Sequence, residues 1–408
     1  MRPDAEASPR LSAWRFVMTF GAVSLLADFV YEGARSITGP LLASFGATAL
    51  VVGVVTGIGE AAALGLRLLS GPLTDRTQRF WAWAIAGYAL TVVTVPFLGL
   101  AGTLWVACSL VVAERVGKAI RSPAKDTLLS HATAVTGRGR GFAVHQAMDQ
   151  CGAVVGPLTV AAVLAATGDD YGPALGVLAL PGAAALATLI WLSRRVPRPA
   201  EYEAAPTDSS THGQTRRRTR LPTAFWAYSA FTATTMIGFS TFGLLSFHMV
   251  ATGMLSAAAV PLVYAAAMGA DAVAALASGW AYDRFGTKTL VALPIVSAAI
   301  PALAFADREW VVIAGALLWG AAVGIQESTL RAVVAELVPP ARRATAYGVF
   351  AASLGAATAA GGALTGWLYE VSLDALAVTV AAIQTTAVVV AVGASLVRRR
   401  TRAGQYPK

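Results

Sequence analysis

The sequence predicts an all-α integral membrane fold, with twelve transmembrane helices arranged in two pseudo-symmetric six-helix bundles. Two observations carry this prediction. Of the 408 residues, 56% are hydrophobic and only 13% are charged, and the mean hydropathy of +0.62 lies outside the range of soluble globular domains. In addition, a charged stretch in the first half of the chain recurs with the same pattern in the second half.

Twelve apolar windows account for most of the chain, each about as long as the roughly 20 residues that cross a bilayer. An even number of helices places both termini on one side. Most of the 31 Lys and Arg residues fall in segments on that side, whereas the opposite loops hold Arg308. Basic residues are retained in the cytoplasm, so we expect both termini there, in the plasma (inner) membrane of a bacterium. The net charge of +9 thus indicates topology, and no nucleic-acid partner is expected.

A polar and basic segment at residues 194–220 predicts a cytoplasmic linker. It separates an N-terminal six-helix bundle, residues 1–193, from a C-terminal six-helix bundle, residues 221–408. At an offset of about 208 residues, "SGPLTDRTQR" at 70–79 matches "SGWAYDRFGTK" at 278–288, so the chain is an internal duplication. The match superimposes Gly71 on Gly279, Asp75 on Asp283 and Arg76 on Arg284.

These repeated stretches predict a gate between the two bundles. A glycine permits close helix approach or an unusual backbone angle. The two aspartates can accept hydrogen bonds from helix N-terminal amides or from basic side chains of the other half, and Asp126 is a candidate partner for Arg76 or Arg79. Alternatively, the basic residues only set topology. The predicted gate consists of Gly71, Asp75, Arg76, Arg79, Asp126, Gly279, Asp283 and Arg284.

Ionisable residues also lie inside the predicted spans, where each costs roughly 2.5 to 3.5 kcal/mol at the helix centre. In the first helix, Asp28, Glu32 and Arg35 follow each other at i, i+4 and i+7 and therefore share a face. One acid is expected to pair with Arg35 and the other to carry a proton. Asp28 is favoured as the carrier because Glu32 is closer to Arg35. The alternative is a cluster that only ties helices together.

The fourth helix carries a stripe of charge, with Glu114, Lys118, Arg121 and Lys125 on one face and Arg115 beside it. Unless acids neutralise these bases, they favour an anionic or zwitterionic substrate. The acids of the first helix favour a lipophilic cation instead, and this alternative stays open.

The fifth helix combines a titratable pair with a packing motif. His145 and Asp149 are one turn apart and are expected either to relay protons or to form an inert hydrogen-bonded pair. Gly152 and Gly156, followed by Pro157, have the spacing of close helix packing.

The tenth helix offers contacts from the opposite wall, although Glu327 and Arg331 are also spaced as a self-contained ion pair. The predicted proton-coupling residues are therefore Asp28, Glu32, His145 and Asp149. The predicted substrate contacts are Arg35, Arg115, Lys118, Arg121, Gln326, Glu327 and Arg331.

The paired stretches after the second and eighth helices, each a Gly followed four residues later by Asp-Arg, resemble the loop signature of the major facilitator superfamily. Gln78 stands where that signature has a second Gly, whereas Gly286 keeps it. Gly152, Gly156 and Pro157 resemble the motif of the drug:proton antiporters of the superfamily. The resemblance implies a central cavity lined by the first and fourth helices, and a proton-coupled exporter of a small organic solute that works by alternating access.

Two alternatives to an exporter are a non-transporting receptor or scaffold on the same fold, and a proton-coupled importer. The sequence contains no phosphate-cradling Gly-rich loop followed by Lys-Ser/Thr, no nucleophile constellation and no metal-ligand cluster. We therefore expect no enzyme activity, no cofactor and no metal. Cys108 and Cys151 are expected to be packing residues. The expected partners are the lipid bilayer, a small molecule and protons, with the protein acting as a monomer.

Overall fold

The computed structural model describes residues 11–202, 221–339 and 342–403, and these are almost entirely helical. The N-terminal half contains α1 (Ala13–Ser44), α2 (Ala49–Gly65), α3 (Arg67–Thr77), α4 (Phe80–Leu98), α5 (Leu104–Thr136), α6 (Arg138–Thr167), α7 (Tyr171–Gly176) and α8 (Ala179–Arg195). The C-terminal half contains α9 (Thr223–Ile237), α10 (Phe242–Ala251), α11 (Ala259–Phe285), α12 (Ala292–Ala304), α13 (Glu309–Leu337), α14 (Arg343–Val371) and α15 (Leu373–Ala403).

Ten stretches of the described chain are long and apolar enough to span a membrane. The twelve-helix fold has two further spans, which this set of ten does not separate for two different reasons. With 33 residues, α5 is long enough to span, but its charged stripe lowers its hydropathy. The stretch Ala259–Ala304 contains two helices, α11 and α12, joined by a 3-10 turn at Gly286–Val291. With α5 included and α11 and α12 counted separately, the described residues contain twelve spans.

The signature stretches lie on helices rather than in loops. α3 continues through Thr77 and α11 through Phe285, so their charges extend from helix ends. The chain turns at the following residue in each repeat, where Gln78 has a φ of 53° and Gly286 a φ of 63°. The first repeat therefore makes its turn in a left-handed conformation that costs an L-residue roughly 1–2 kcal/mol, where the second repeat uses glycine.

Two faces of the helical assembly are distinguished below. The linker face carries the turns after α3 and α11 and the connection from α8 to α9. The far face carries residues 45–48, 168–170, 252–258 and 306–308. The bundles meet mainly through α2 with α14, α6 with α11, and α1 with α10. Backbones touch at Gly53 and Gly362, where a Cβ on Gly53 would lie 2.2 Å from the Gly362 carbonyl oxygen. Because this contact lies one turn from the start of α2, the bundles are closed toward the far face.

The glycines predicted to pack helices and the glycines predicted for the gate have different surroundings. Gly152 and Gly156 lie against α1, where an added Cβ would come within 2.2 Å of the carbonyl oxygens of Leu25 and Phe29. Pro157 follows inside α6. For Gly71 and Gly279 neither expected reason is met in this structure: both sit within helices, and no atom lies within 4 Å of an added Cβ.

Candidate functional site

A network of acids and bases fills the centre of the N-terminal bundle, with Glu60 of α2 as its hub. Glu60 Oε1 lies 3.0 Å from Arg35 Nη2 and 3.2 Å from Arg115 Nη1. Arg35 Nη1 is also 3.6 Å from Glu32 Oε2, and Arg115 Nε is 3.4 Å from Glu114 Oε2. Each guanidinium is thus held between two carboxylates of its own bundle, which neutralise much of its charge.

Lys118 differs from the arginines around it. Within the described parts of the chain, no carboxylate oxygen lies within the 4 Å of a salt bridge to its ammonium group. Its Nζ lies 4.0 Å from the centroid of the Tyr31 ring, which Arg115 also approaches at 4.5 Å. A cation over an aromatic face keeps its N–H groups free to donate to a ligand.

Asp28 has a looser pairing than the other acids of α1 and α2. Its Oδ1 is 3.8 Å from Nη2 of Arg121, and its side chain is 26% exposed. Arg121 is itself held in place, because Nη1 donates to Thr91 Oγ1 at 3.1 Å and the guanidinium lies 4.7 Å from the centroid of Tyr88. Arg121 is therefore fixed by α4, while about a quarter of the Asp28 side chain stays exposed.

A second group of charges connects α1, α5 and α6. Asp149 Oδ2 lies 3.5 Å from Lys125 Nζ and 3.4 Å from His145 Nδ1. The other ring nitrogen of His145 is 2.8 Å from Ser24 Oγ. The imidazole thus joins a hydroxyl of α1 to a carboxylate of α6, an arrangement that orients the ring and fits either of the two roles expected for it.

Hydrogen bonds from two side chains, Tyr264 and Gln150, connect the site to the C-terminal bundle. The hydroxyl of Tyr264 on α11 donates to Glu32 Oε2. Gln150 Nε2 on α6 donates to Asp271 Oδ2 at 3.1 Å and to the carbonyl oxygen of Met268 at 2.9 Å. Glu32 therefore contacts both Arg35 of its own bundle and Tyr264 of the opposite bundle, so a change in its charge affects contacts in both bundles.

The substrate contacts predicted on α13 that the structure describes are more exposed than the arginines of α5. Gln326 is half-buried, and Glu327 is exposed but close enough to Arg35 and Asp271 to interact electrostatically. The side chain of Arg331 lies outside the described residues, and so does most of the predicted linker.

The predicted gate charges face solvent on the linker face. None forms an ion pair within 4 Å to any side chain that the structure describes, so Asp126 is not paired with Arg76 or Arg79. These exposed residues are Asp75, Arg76, Arg79, Asp126, Asp283 and Arg284.

Sequence reasoning missed the uncharged side chains of the site, among them Tyr31, Gln150 and Tyr264. Uncharged aromatic and amide residues are ordinary in apolar helices, and only their neighbours reveal a role. Asp271, by contrast, is detectable as an acid within an apolar span. Within the described ranges, no group of three or more His, Cys, Asp or Glu residues is placed to hold a metal ion.

The sequence and fold of this chain are similar to those of known proteins. Residues 21–254 and 250–408 match the family model described as Major Facilitator Superfamily. An uncharacterised protein of Mycobacterium tuberculosis is 69% identical over 381 residues, which cover 93% of each chain. A mutant of the nucleoside transporter NupG has the same fold, with a TM-score of 0.72 at 14% identity, over 93% of this chain and 99% of that one. A peptide transporter, POT, in complex with sulfate has a TM-score of 0.72 at 15% identity, over 95% and 94% of the two chains.

The family match spans nearly the whole chain, and the solved transporters share its fold from end to end. Charged side chains converge between helices that are otherwise apolar, as a solute pathway requires. The chain therefore belongs to the major facilitator superfamily and is a multi-pass membrane protein of the secondary-transporter class, which acts on small molecules.

Proposed function

We propose that this protein is a proton-coupled exporter that moves a small organic solute by exposing a central site to the two sides of the bilayer in turn. The observation that carries the proposal is the acid and base network inside α1, α2, α5 and α6. Asp28, Arg35, Glu60 and Lys125 are 22 to 26% exposed there, although they belong to apolar spans. This partial exposure favours a pathway that water can enter, which a static scaffold would not need.

Lys118 is the proposed anchor for a negative group of the solute. Each neighbouring base of α5 has its own acid: Arg115 has Glu60 and Glu114, and Arg121 has Asp28. Lys118 is the base that keeps its donors available, beside the ring of Tyr31. An anionic or zwitterionic solute with an apolar or aromatic body fits this pair best. A lipophilic cation would instead have to displace a base from an acid of the N-terminal bundle, or bind at Asp271 and Glu327 of the opposite wall.

Asp28 is the proposed proton carrier. Glu32 is already satisfied by Arg35 and Tyr264, whereas Asp28 has a 3.8 Å contact to Arg121 and a side chain that is 26% exposed. A proton on Asp28 would remove its attraction to the fixed guanidinium of Arg121, and loss of the proton would restore it. The pair of His145 and Asp149 lies on the adjacent helix and is the candidate relay.

The direction of transport rests on the resemblance of Gly152, Gly156 and Pro157 to the antiporter motif, and import is the alternative. For the gate, we propose that Asp75 and Asp283 latch the linker face in the opposite state. Their exposure here fits a conformation in which the far face is the closed one.

Solute charge is tested first, by thermal-shift screening of purified protein against anionic, zwitterionic and cationic solutes. We expect stabilisation by anionic or zwitterionic compounds and its loss in Lys118→Ala, with Lys125→Ala as the matched control because Lys125 already has Asp149. Equal binding by both variants would remove Lys118 as the anchor.

Coupling is tested in proteoliposomes that contain a pH-sensitive dye and are given the compound found by the screen. We expect solute addition to move protons in the parent protein, and Asp28→Asn to abolish this movement while solute exchange continues. Glu32→Gln, which alters a structural pair, is expected to slow both. Proton movement retained in Asp28→Asn would refute the assignment. Binding without any flux would identify a receptor. The sign of the pH change inside the vesicles separates antiport, which drives export, from symport, which drives import.

A further inference from the structure

On the far face, two carboxylates each accept a hydrogen bond from a backbone amide of the opposite bundle. Glu370, at the end of α14, accepts at Oε1 from the amide of Leu50 in the first turn of α2, at 2.8 Å. Asp169, just after α6, accepts at Oδ1 from the amide of Ala258 at the start of α11, at 3.0 Å. First-turn amides have no partner within their own helix, and the helix dipole favours a negative group there.

The two donating amides are copies of each other under the internal repeat, whereas the accepting acids, 201 residues apart, do not occupy matching positions. Leu50 and Ala258 differ by the same offset of about 208 residues that relates the signature stretches. The matching continues around them: Val51 N donates to Thr48 Oγ1 at 3.4 Å, and Ala259 N donates to Ser256 Oγ at 3.3 Å. Each helix start is therefore capped by a hydroxyl of its own bundle and by a carboxylate of the other.

The acids also come from matching helices, since α6 and α14 are the fifth spans of their bundles. Asp169 adopts a φ of 66°, a left-handed conformation that Asp tolerates better than most residues. The chain thus accepts local strain at the position that brings this carboxylate to the opposite bundle.

We propose that Asp169 and Glu370 are paired gate residues of the far face, which cap the opposite bundle when that face is closed and release it when the face opens. They act as positioning residues, because neither lies near the central charges. Both are exposed, so water replaces the lost hydrogen bonds on opening. Each contact therefore biases the equilibrium between the two states without locking it.

The test measures how often the far face opens, with a thiol placed between the bundles. Ser246 of α10 is fully buried and stands against Gly39 of α1 in the far half of the interface. Ser246→Cys is nearly isosteric, and the native thiols are removed as Cys108→Ser and Cys151→Ser. The rate at which a maleimide alkylates the introduced thiol in purified protein follows the population of the far-open state.

The test variants are Asp169→Gly, which suits the left-handed backbone, and Glu370→Ala. We expect each to raise the alkylation rate about fivefold, and the double variant to exceed either. Asp170→Ala is the matched control, because the neighbouring Asp170 caps Gly172 of its own bundle at 2.9 Å. Its rate should equal that of the parent.

If a variant fails to fold, Asp169→Asn and Glu370→Gln keep an acceptor oxygen but lose the charge, and are expected to raise the rate by a smaller factor. Rates equal to the control in both acids would overturn the proposal, and an effect at only one acid would overturn the pairing. The measurement uses neither solute nor proton gradient, so its outcome is independent of the solute and coupling proposed above.

Discussion

Closure of the far face depends on backbone contact between α2 and α14, and Gly53→Ala is predicted to break it. A Cβ on Gly53 would lie 2.2 Å from the carbonyl oxygen of Gly362, where ordinary contact requires 3.4 Å or more. The obstacle is backbone and has no rotamer to change. The two helices must therefore separate by about 1 Å, which at this position means that the bundles part.

The expected size of this effect follows from the cost of overpacking, about 1–3 kcal/mol. The protein can relieve the clash by opening the far face, so the cost appears as a shift between the two states. A shift of that size corresponds to a factor of about 5 to 150 in the equilibrium constant. We expect the thiol introduced by Ser246→Cys to be alkylated faster by a factor in this range, until the far-open state predominates.

Gly65→Ala in the same helix is the matched control. No atom lies within 4 Å of an added Cβ at Gly65, so this substitution should leave the rate unchanged and add up to ~1 kcal/mol of helix stability. Gly362→Ala should reproduce the effect of Gly53→Ala, because its Cβ would meet the Gly53 carbonyl oxygen at 2.3 Å. Equal alkylation rates in Gly53→Ala and Gly65→Ala would refute the reasoning.

Three further predictions concern other contacts. Glu60→Gln leaves Arg35 and Arg115 with one acid each. Because the site is partly exposed, we expect a loss of ~1–3 kcal/mol, seen as a lower thermal unfolding midpoint, and an unchanged midpoint would contradict the hub role. Tyr264→Phe removes a hydrogen bond between the bundles that is worth ~1 kcal/mol, so maleimide should alkylate the thiol introduced by Ser246→Cys about fivefold faster. An alkylation rate equal to that of the parent protein would argue against this link. Gly286→Ala forces a side chain into a positive-φ turn and should lower stability by ~1–3 kcal/mol, whereas Gly279→Ala, in open space, serves as the control that should not.

Several features of this protein were predictable because they are local. A stretch of apolar residues either is or is not long enough to cross the bilayer, so the spans follow from hydropathy. The exceptions are the signature stretches, which resemble a loop signature but are helical because α3 and α11 continue beyond the apolar segment. The spacing of Asp28, Glu32 and Arg35 likewise placed these side chains on one face.

The pairing of those charges was not predictable from spacing. Arg35 contacts Glu60 more closely than the neighbouring Glu32, and no carboxylate of the described residues lies within salt-bridge distance of Lys118. The partners belong to other helices, whose rotation and depth are set by packing. Spacing within one helix fixes only which side chains share a face.

Hydropathy and the repeated stretches were enough to predict the membrane spans, the two related bundles and the acids and bases within them. Which acid neutralises which base depends on the packed helices, and so does the capping of a helix of the opposite bundle by Asp169 and by Glu370. The two kinds of information differ in range along the chain. Hydropathy and helical periodicity act over tens of residues, whereas these contacts join parts of the chain that only the docking of two bundles brings together.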